Sequence, residues 1–225
     1  MKVLHLEARY TKKIALPAAA IRKLPEKVAL FMSVQFLDSL QDIKAALEKR
    51  GKKVLLFQTR HTRYLGQLYG CNNEKYEGDY DAFLYVGDGE FHPKALALAN
   101  RKPIFIYNPI TKKSGQWKQQ YFLEEQKRTR AALLRFHSSE RIGILVTTKS
   151  GQNKIRLGKL LEKRHPEKTF FYLVFDSLEF GRLEDFPFIQ CLVNTACERI
   201  AFEDRKRFFR PVINAEDILW PERLQ

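Results

Sequence analysis

The sequence has few cysteines and lacks a long apolar run. Three cysteines occur among 225 residues, too few for the disulfide framework of a small secreted domain. No apolar segment approaches the roughly 20 residues that a membrane-spanning helix needs. The first residues, MKVLHLEARYTKK, also lack the apolar stretch of a signal peptide. These absences predict a cytoplasmic protein in a reducing environment, without membrane association.

Acidic residues are scarce relative to basic ones. The sequence has 40 Lys and Arg against 26 Asp and Glu, a net charge of +14. Residues 1–138 hold 25 basic and 13 acidic residues, whereas residues 139–225 hold 15 and 13. Such a surplus favours either a polyanionic partner such as RNA or a solvated basic surface. No nucleic-acid module signature is present, so composition alone leaves both interpretations open.

A pattern of short apolar segments is repeated along the chain. Six of them are typical of buried strands: 27–33, 54–58 and 81–87, then 141–148, 169–175 and 187–193. An amphipathic segment follows the first strand of each group, at 37–51 and 155–165. Strand–helix–strand order predicts parallel sheets with right-handed crossovers. We therefore predict an α/β fold with two similar small parallel-sheet (Rossmann-like) domains and flanking helices, joined by a linker helix.

The expected domain boundaries follow from this repeat. Residues 24–116 form the first α/β domain, with a fourth strand at 103–108, and residues 139–225 form the second. Residues 117–138 are polar and helix-favouring, which predicts the linker helix. Residues 1–23 hold a single strand-like piece, VLHLEA, followed by a basic loop. Because that strand lacks a partner before it, we expect it to be the remnant of a preceding domain.

One candidate binding loop lies where the strand at 81–87 ends. In parallel α/β sheets, ligands bind beyond the carboxyl ends of the strands. The segment YVGDGEFHP places Gly87, Asp88, Gly89 and His92 there, immediately before an Ala- and Leu-rich helix. Glycines allow backbone to approach a ligand closely, and helix N-terminal N–H groups favour anions. The alternative is an ordinary strand-to-helix turn capped by Asp88.

Two cysteines are expected at the same edges of the two sheets. Cys71 follows the second strand of the first domain, and Cys197 follows the third strand of the second domain. Thiolates bind soft metals and iron–sulfur clusters. The sequence nevertheless contains no CxxC motif, so spacing alone favours the alternative of two buried free cysteines. Cys191 lies within an apolar strand, and we expect it in the core.

Two further residues lie at the predicted ligand edge of the second domain. Gln152 belongs to KSGQNK, which follows the strand at 141–148 but lacks a full phosphate-binding motif. Arg199 comes two residues after Cys197 and could bind a carboxylate. The alternatives are a polar turn for Gln152 and a surface salt bridge for Arg199.

Taken in order, four segments resemble the diphthamide synthase family, the 2-(3-amino-3-carboxypropyl)histidine synthases of archaea and eukaryotes. They are GQLYGC, DAFLYVGDGEFHPKALALA, KSGQNK and VNTACERIAFEDRKRFFRPVINAED, and the resemblance covers about residues 3–218. It implies three similar α/β domains that each give one cysteine to a single [4Fe–4S] cluster. It further implies cleavage of S-adenosylmethionine to a 3-amino-3-carboxypropyl radical, which adds to a histidine of translation elongation factor 2.

The matching motifs imply the roles of individual residues. Cys71 resembles the cluster ligand of the second family domain and Cys197 that of the third. The loop residues are candidates for binding S-adenosylmethionine; they are Gly87, Asp88, Gly89, His92, Gln152 and Arg199. The sequence does not identify a catalytic residue.

The sequence departs from the family pattern in lacking the first domain and its cysteine. The resemblance therefore implies a partner: either a separate chain that carries this domain, or a second copy in a homodimer. The alternative functions are a non-catalytic accessory subunit of the same system and a basic RNA-binding α/β protein. Since an elongation factor accounts for a macromolecular partner, we do not expect a nucleic-acid partner.

Overall fold

The computed structural model describes residues 6–117 and 120–224. The chain divides into two compact units, Met1–Phe122 and Leu123–Gln225, and each contains one sheet with flanking helices. The predicted strand VLHLEA begins outside the described residues, and residues 6–10 have no regular secondary structure. Within the described residues, no helix combines the length and the apolar character needed to cross a membrane.

The first unit is built on a five-stranded sheet. Its helices are α1 (Ala18–Arg22), α2 (Leu40–Glu48) and α3 (Phe91–Ala99); its strands are β1 (Lys27–Met32), β2 (Lys53–Leu55), β3 (Ala82–Val86), β4 (Ile104–Asn108) and β5 (Lys113–Trp117). The strand order is β2-β1-β3-β4-β5, and only the β4–β5 pair is antiparallel. β1 and β3 are almost fully buried, as their continuous apolar runs predict for central parallel strands.

The second unit contains a four-stranded, fully parallel sheet. Its helices are α4 (Gln120–His137, which begins at the end of the first unit), α5 (Ile155–Arg164), α6 (Ile200–Glu203) and α7 (Ala215–Leu219); its strands are β6 (Arg141–Thr147), β7 (Thr169–Phe175), β8 (Cys191–Asn194) and β9 (Val212–Asn214). The strand order is β7-β6-β8-β9. The predicted α/β class with parallel sheets is confirmed.

Two predicted strands are shorter than expected, for identifiable reasons. Of the strand predicted at 54–58, only Val54 and Leu55 pair with β1. Further along, the Gln58 side chain donates to the backbone oxygen of Thr62 at 2.9 Å. The strand predicted at 187–193 begins at Cys191. Gln190 precedes it and uses its side-chain oxygen to accept from the Glu140 N–H at 2.8 Å. In both segments, a glutamine side chain bonds to backbone groups at the point where the predicted strand is missing.

Strand β5 was not predicted. Lys113–Trp117 is polar and exposed apart from the half-buried Trp117, so it carries no apolar alternation by which a strand is recognised. The hairpin forms because the Asn108 side chain accepts from the N–H groups of Ile110 and Thr111 at 2.9 and 3.0 Å. The linker helix, predicted from about residue 117, consequently begins at Gln120.

A pH-dependent contact lies at the end of α4. The ring centroids of His137 and His165 are 6.0 Å apart, and Lys168 donates to the His137 backbone oxygen at 2.9 Å. Burial lowers the pKa of His137 below its ordinary 6.5; His165 and Lys168 lower it further, while Glu167 opposes them. The folded state therefore binds a proton at His137 less readily than the unfolded chain does. The contribution of neutral His137 to stability is present above about pH 6.5 and is lost as the pH falls below that value.

We therefore predict that His137→Gln flattens the pH dependence of stability. The measurement is the urea midpoint of both proteins at about pH 7.5 and about pH 5.5, on either side of the ordinary histidine pKa. The wild-type midpoint should fall more between these values than the variant midpoint. Equal falls in the two proteins would show that His137 does not contribute.

Candidate functional site: two cysteine loops at the carboxyl edges of parallel sheets

The loop of Cys71 begins at the carboxyl end of β1. The Met32 N–H donates to the Gly66 oxygen at 2.8 Å, and the Leu68 N–H donates to the Met32 oxygen at 2.9 Å. These bonds hold residues 66–68 beside the end of a buried strand. Cys71 follows three residues later and is exposed. The predicted placement of Cys71 at the ligand edge is therefore confirmed.

The second candidate loop leaves β3 at the same edge. β3 ends at Val86, and α3 begins at Phe91. Gly89 adopts a φ of 62°, a conformation that favours glycine. The N-cap of α3 is Glu90, with no side-chain cap bond. Asp88 is exposed and does not cap α3. An ordinary strand-to-helix turn without that cap is still the alternative to a binding loop.

The structure brings the two loops into contact. A Cβ placed on Gly70 would lie 1.9 Å from Cε1 of Phe91, so the backbone next to Cys71 lies directly against the first residue of α3. His92 in turn stacks on Tyr85, with ring centroids 6.1 Å apart and an interplanar angle of 15°. Two segments that sequence analysis found separately, the Cys71 loop and the loop 87–92, therefore form one surface.

Tyr85 was missed by sequence analysis because it lies inside an apolar strand. Its side chain is fully buried, and burial raises the pKa of its hydroxyl. A Cβ on Gly87 would lie 2.3 Å from this hydroxyl oxygen. Gly87 is therefore required by a close approach between the loop and the buried phenol, which fixes the path of the loop as it leaves β3.

We predict that Gly87→Ala destabilises the fold by about 1–3 kcal/mol, as expected for overpacking against a buried ring. Gly115→Ala is the matched control: an added Cβ there would meet nothing within 4 Å, and its effect should be within about 0.5 kcal/mol. Chemical denaturation of both variants measures the difference. Equal stabilities would contradict the proposed contact with Tyr85.

In the second unit, Cys197 lies just beyond β8 and is half-buried. Thr195 anchors this segment to the adjacent strand: its N–H and hydroxyl both donate to the Leu145 oxygen, at 3.0 and 2.7 Å. The predicted placement of Cys197 at the carboxyl edge of its sheet is confirmed. Each unit therefore presents one accessible cysteine at the edge where parallel sheets bind ligands.

Lys154 connects three loops of the second unit. Its N–H donates to the Thr195 oxygen at 3.0 Å, and its ammonium contacts Glu198 at 3.0 Å and Glu216 at 2.6 Å. Burial alone would lower the pKa of Lys154, but the two carboxylates outweigh it and the pKa is raised. Lys154 thus ties the KSGQNK loop to the residue after Cys197 and to the start of α7. Gln152, in the same loop, is exposed.

Arg199 forms a salt bridge, but its side chain is buried and not at the surface. Its side chain is 4% exposed and pairs with the Glu203 carboxylate one helical turn later. Burying a guanidinium is costly unless it is paired, so this contact fixes Arg199 beside Cys197. A role for Arg199 in ligand binding remains a prediction, as it does for Gly87, Asp88, Gly89, His92 and Gln152.

Cys191 differs chemically from the other two cysteines. It is fully buried in β8, and burial raises the pKa of its thiol to about 12. A thiol enclosed in the core is inaccessible to a cluster, and burial also disfavours the thiolate that a metal requires. The expectation that Cys191 is a core residue is confirmed.

The accessible thiols of the two units are suitable ligands for an iron–sulfur cluster, but neither unit has enough of them to hold a cluster by itself. Accessible thiols are the ligands that such clusters require, and Cys71 and Cys197 provide one each. Among residues 6–117 and 120–224, no three His, Cys, Asp or Glu side chains form a group that could hold a metal ion. The chain is thus a protein of two parallel α/β units, each with a thiol at its ligand edge.

Comparison with known proteins identifies the family. The diphthamide synthesis protein family model matches residues 1–219. The 2-(3-amino-3-carboxypropyl)histidine synthase of Pyrococcus horikoshii is 28% identical over 203 residues, covering 88% of this chain and 58% of the relative. The Methanocaldococcus jannaschii synthase is 30% identical over 194 residues, covering 79% of this chain and 55% of the relative. The chain belongs to the diphthamide synthesis protein family, which confirms the resemblance found in its sequence.

Solved structures agree with this assignment. The crystal structure of Dph2 from Pyrococcus horikoshii with a 4Fe–4S cluster matches with a TM-score of 0.73 at 25% identity, covering 92% of this chain and 59% of that chain. A second Dph2 structure from the same organism matches with a TM-score of 0.76 at 23% identity and covers 94% and 62%; at that identity it supports the fold alone. The chain thus spans somewhat over half the length of these relatives.

Proposed function

We propose that this chain is part of a 3-amino-3-carboxypropyl transferase that acts on a histidine of translation elongation factor 2. In this proposal, S-adenosylmethionine is the donor, and Cys71 and Cys197 are two of the three protein ligands of a [4Fe–4S] cluster. The observation that carries the proposal is the accessible thiol at the carboxyl edge of each unit. It is supported by relatives named as synthases of this product and by a 4Fe–4S cluster in a structural neighbour.

Each loop residue has a role in this proposal that follows from its chemistry. Gly87 and Gly89 let the backbone approach the donor closely, and the first N–H groups of α3 bind its carboxylate. Arg199, held by Glu203, is positioned to offer positive charge beside Cys197. Asp88, His92 and Gln152 are the polar groups that would orient the donor. When bound, the cluster would supply one-electron cleavage of S-adenosylmethionine into a carbon radical.

The proposal requires residues beyond those of this chain. Cys191 is buried in the core, so the third thiolate comes from another polypeptide chain. A polypeptide equivalent to the part of the relatives that this chain does not cover, or a second copy of the chain, would complete the cluster site. We also propose that the protein works in the cytoplasm.

A transfer assay tests the proposal. Isotope from S-adenosylmethionine labelled in its aminocarboxypropyl group is followed into elongation factor 2 under anaerobic, reducing conditions. The chain is assayed alone and with a polypeptide that carries the uncovered part of its relatives. Label in the histidine of the factor is expected in the second sample. If a Cys71→Ala, Cys197→Ala double variant transfers label as fast as wild type, the chain is a non-catalytic accessory subunit.

A further inference from the structure

A buried asparagine lies beside the cysteine in each of the two loops. Asn72 and Asn194 are each 1% exposed, although asparagine is usually found at the surface. Both side chains form hydrogen bonds with backbone groups of the loop that carries the cysteine. The two units achieve this with asparagines at different positions: Asn72 follows Cys71, whereas Asn194 precedes Cys197 by three residues.

Asn72 holds both ends of the Cys71 loop. Its side-chain oxygen accepts from the Tyr69 N–H at 2.7 Å and lies 3.2 Å from the Thr59 hydroxyl. Its amide donates to the Arg60 backbone oxygen at 2.8 Å and to the Glu74 carboxylate at 3.1 Å. One carboxamide therefore connects segments on either side of Cys71 to the segment that leaves β2.

Asn194 grips the Cys197 loop directly. Its amide donates to the backbone oxygen of Cys197 at 2.9 Å and to the side-chain oxygen of Asn214 at 2.7 Å. Its own side-chain oxygen accepts from the Ala196 N–H at 3.1 Å. Since Asn194 is the last residue of β8 and Asn214 the last of β9, the cysteine backbone is tied to the ends of two neighbouring strands.

The hydrogen-bonding pattern requires a carboxamide at both positions. Each side chain donates and accepts at the same time, so a carboxylate would leave its neighbouring acceptors without a donor. An apolar residue of similar size would leave several buried backbone groups unsatisfied. Bonds of this kind hold an exposed loop in one conformation, which a loop otherwise lacks because few of its contacts are buried.

We infer that Asn72 and Asn194 are positioning residues that hold the Cys71 and Cys197 thiols in place, each acting on its own cysteine. The purpose of this positioning, which is to bind a cluster, rests on the proposed function. A ligand set drawn from separate units gains affinity when each thiol is already held in its bound position, because less conformational freedom is lost on binding.

The test is site-resolved alkylation of the metal-free, folded protein, with labelling of each cysteine followed by mass spectrometry. Asn72→Asp should change the labelling rate of Cys71 by more than about threefold and leave that of Cys197 unchanged, because the loop loses the bonds that hold it. Asn194→Asp should do the reverse. Cys191 serves as an internal reporter, because it becomes reactive only if the sheet opens.

Asn100→Asp is the matched control. Asn100 is also a buried asparagine of the first unit, but it bonds to Tyr76, Glu74 and Leu96 and not to the segment 69–72. It should leave the Cys71 rate within about twofold, because every bond to residues 69–72 is kept and only bonds to the Glu74 and Leu96 backbone oxygens are lost. If an aspartate variant does not fold, Asn72→Ser or Asn194→Ser, which retains one donor and one acceptor, takes its place.

Equal changes at Cys71 and Cys197 in either variant, or labelling of Cys191 in step with them, would overturn the inference in favour of general destabilisation. Unchanged rates would overturn it as well. Because the measurement uses protein without a cluster, its failure is distinct from failure of the proposed function, which would appear as an absence of bound iron in the wild type reconstituted with the polypeptide that completes the site.

Discussion

Alanine at either Cys71 or Cys197 is expected to lower both bound iron and carboxypropyl transfer by more than about tenfold, since loss of even an outer-shell partner commonly costs that much. Each variant removes one thiolate from a set of three, and Cys191 does not replace it, because it is buried with a raised thiol pKa. The measurement is iron content and transfer rate after anaerobic reconstitution with the polypeptide that completes the site.

Cys191→Ala is the control for this pair. Its side chain is in the core of the second unit, so the variant should lose some stability, of the order of 1 kcal/mol, and keep its iron. If Cys191→Ala instead loses iron while Cys71→Ala or Cys197→Ala retains it, the assignment of the ligands is wrong. Thermal denaturation of all three variants separates loss of ligand from loss of fold.

Lys154→Met should destabilise the second unit by about 2–4 kcal/mol, because it removes the ammonium that contacts two largely buried carboxylates and leaves these two like charges close together. The side chains of Glu198 and Glu216 are 14% and 8% exposed. Lys154 itself is 32% exposed, so we place the effect below that of a fully buried pair. The free energy of unfolding, measured by chemical denaturation, gives the magnitude.

Two further variants make this prediction specific. Lys159→Met removes an exposed lysine whose ammonium is 3.7 Å from Glu162 and 4.6 Å from the centre of the Tyr172 ring, and it should cost less than about 1 kcal/mol. Adding Glu216→Gln to Lys154→Met should recover part of the lost stability, because it removes one of the two repelling charges. A Lys154 variant as stable as the Lys159 variant would show that the three loops are not held together by this lysine.

The fold could be predicted largely from apolar periodicity. Continuous apolar runs identified the central strands β1, β3 and β6, since strands covered on both faces have no polar alternation. The same rule failed for Lys113–Trp117, an exposed edge strand that pairs through its backbone. It also failed for residues 187–190, where the Gln190 side chain bonds to the start of β6.

The site was predicted less completely than the fold. Cys71 and Cys197 were assigned as ligands through family motifs, because their spacing along the chain matches no local metal motif. Lys154 was missed although it ends the KSGQNK loop, since its partner Glu216 lies 62 positions away. Asn72 and Tyr85 were missed for a similar reason. The hydrogen bonds of Asn72 depend on tertiary packing, and so does the contact between Tyr85 and Gly87. The only sign of Asn72 in the sequence is that it is a polar residue next to Cys71, a candidate ligand.

Differential alkylation tests the central claim, that Cys71 and Cys197 both bind the cluster, most directly. The reconstituted complex is treated with a thiol reagent before and after removal of iron by a chelator, and each cysteine is quantified by mass spectrometry. Both Cys71 and Cys197 should be protected in the iron-loaded sample and labelled after chelation, while Cys191 stays unlabelled in both. Full labelling of Cys71 or Cys197 while iron remains bound would contradict the claim.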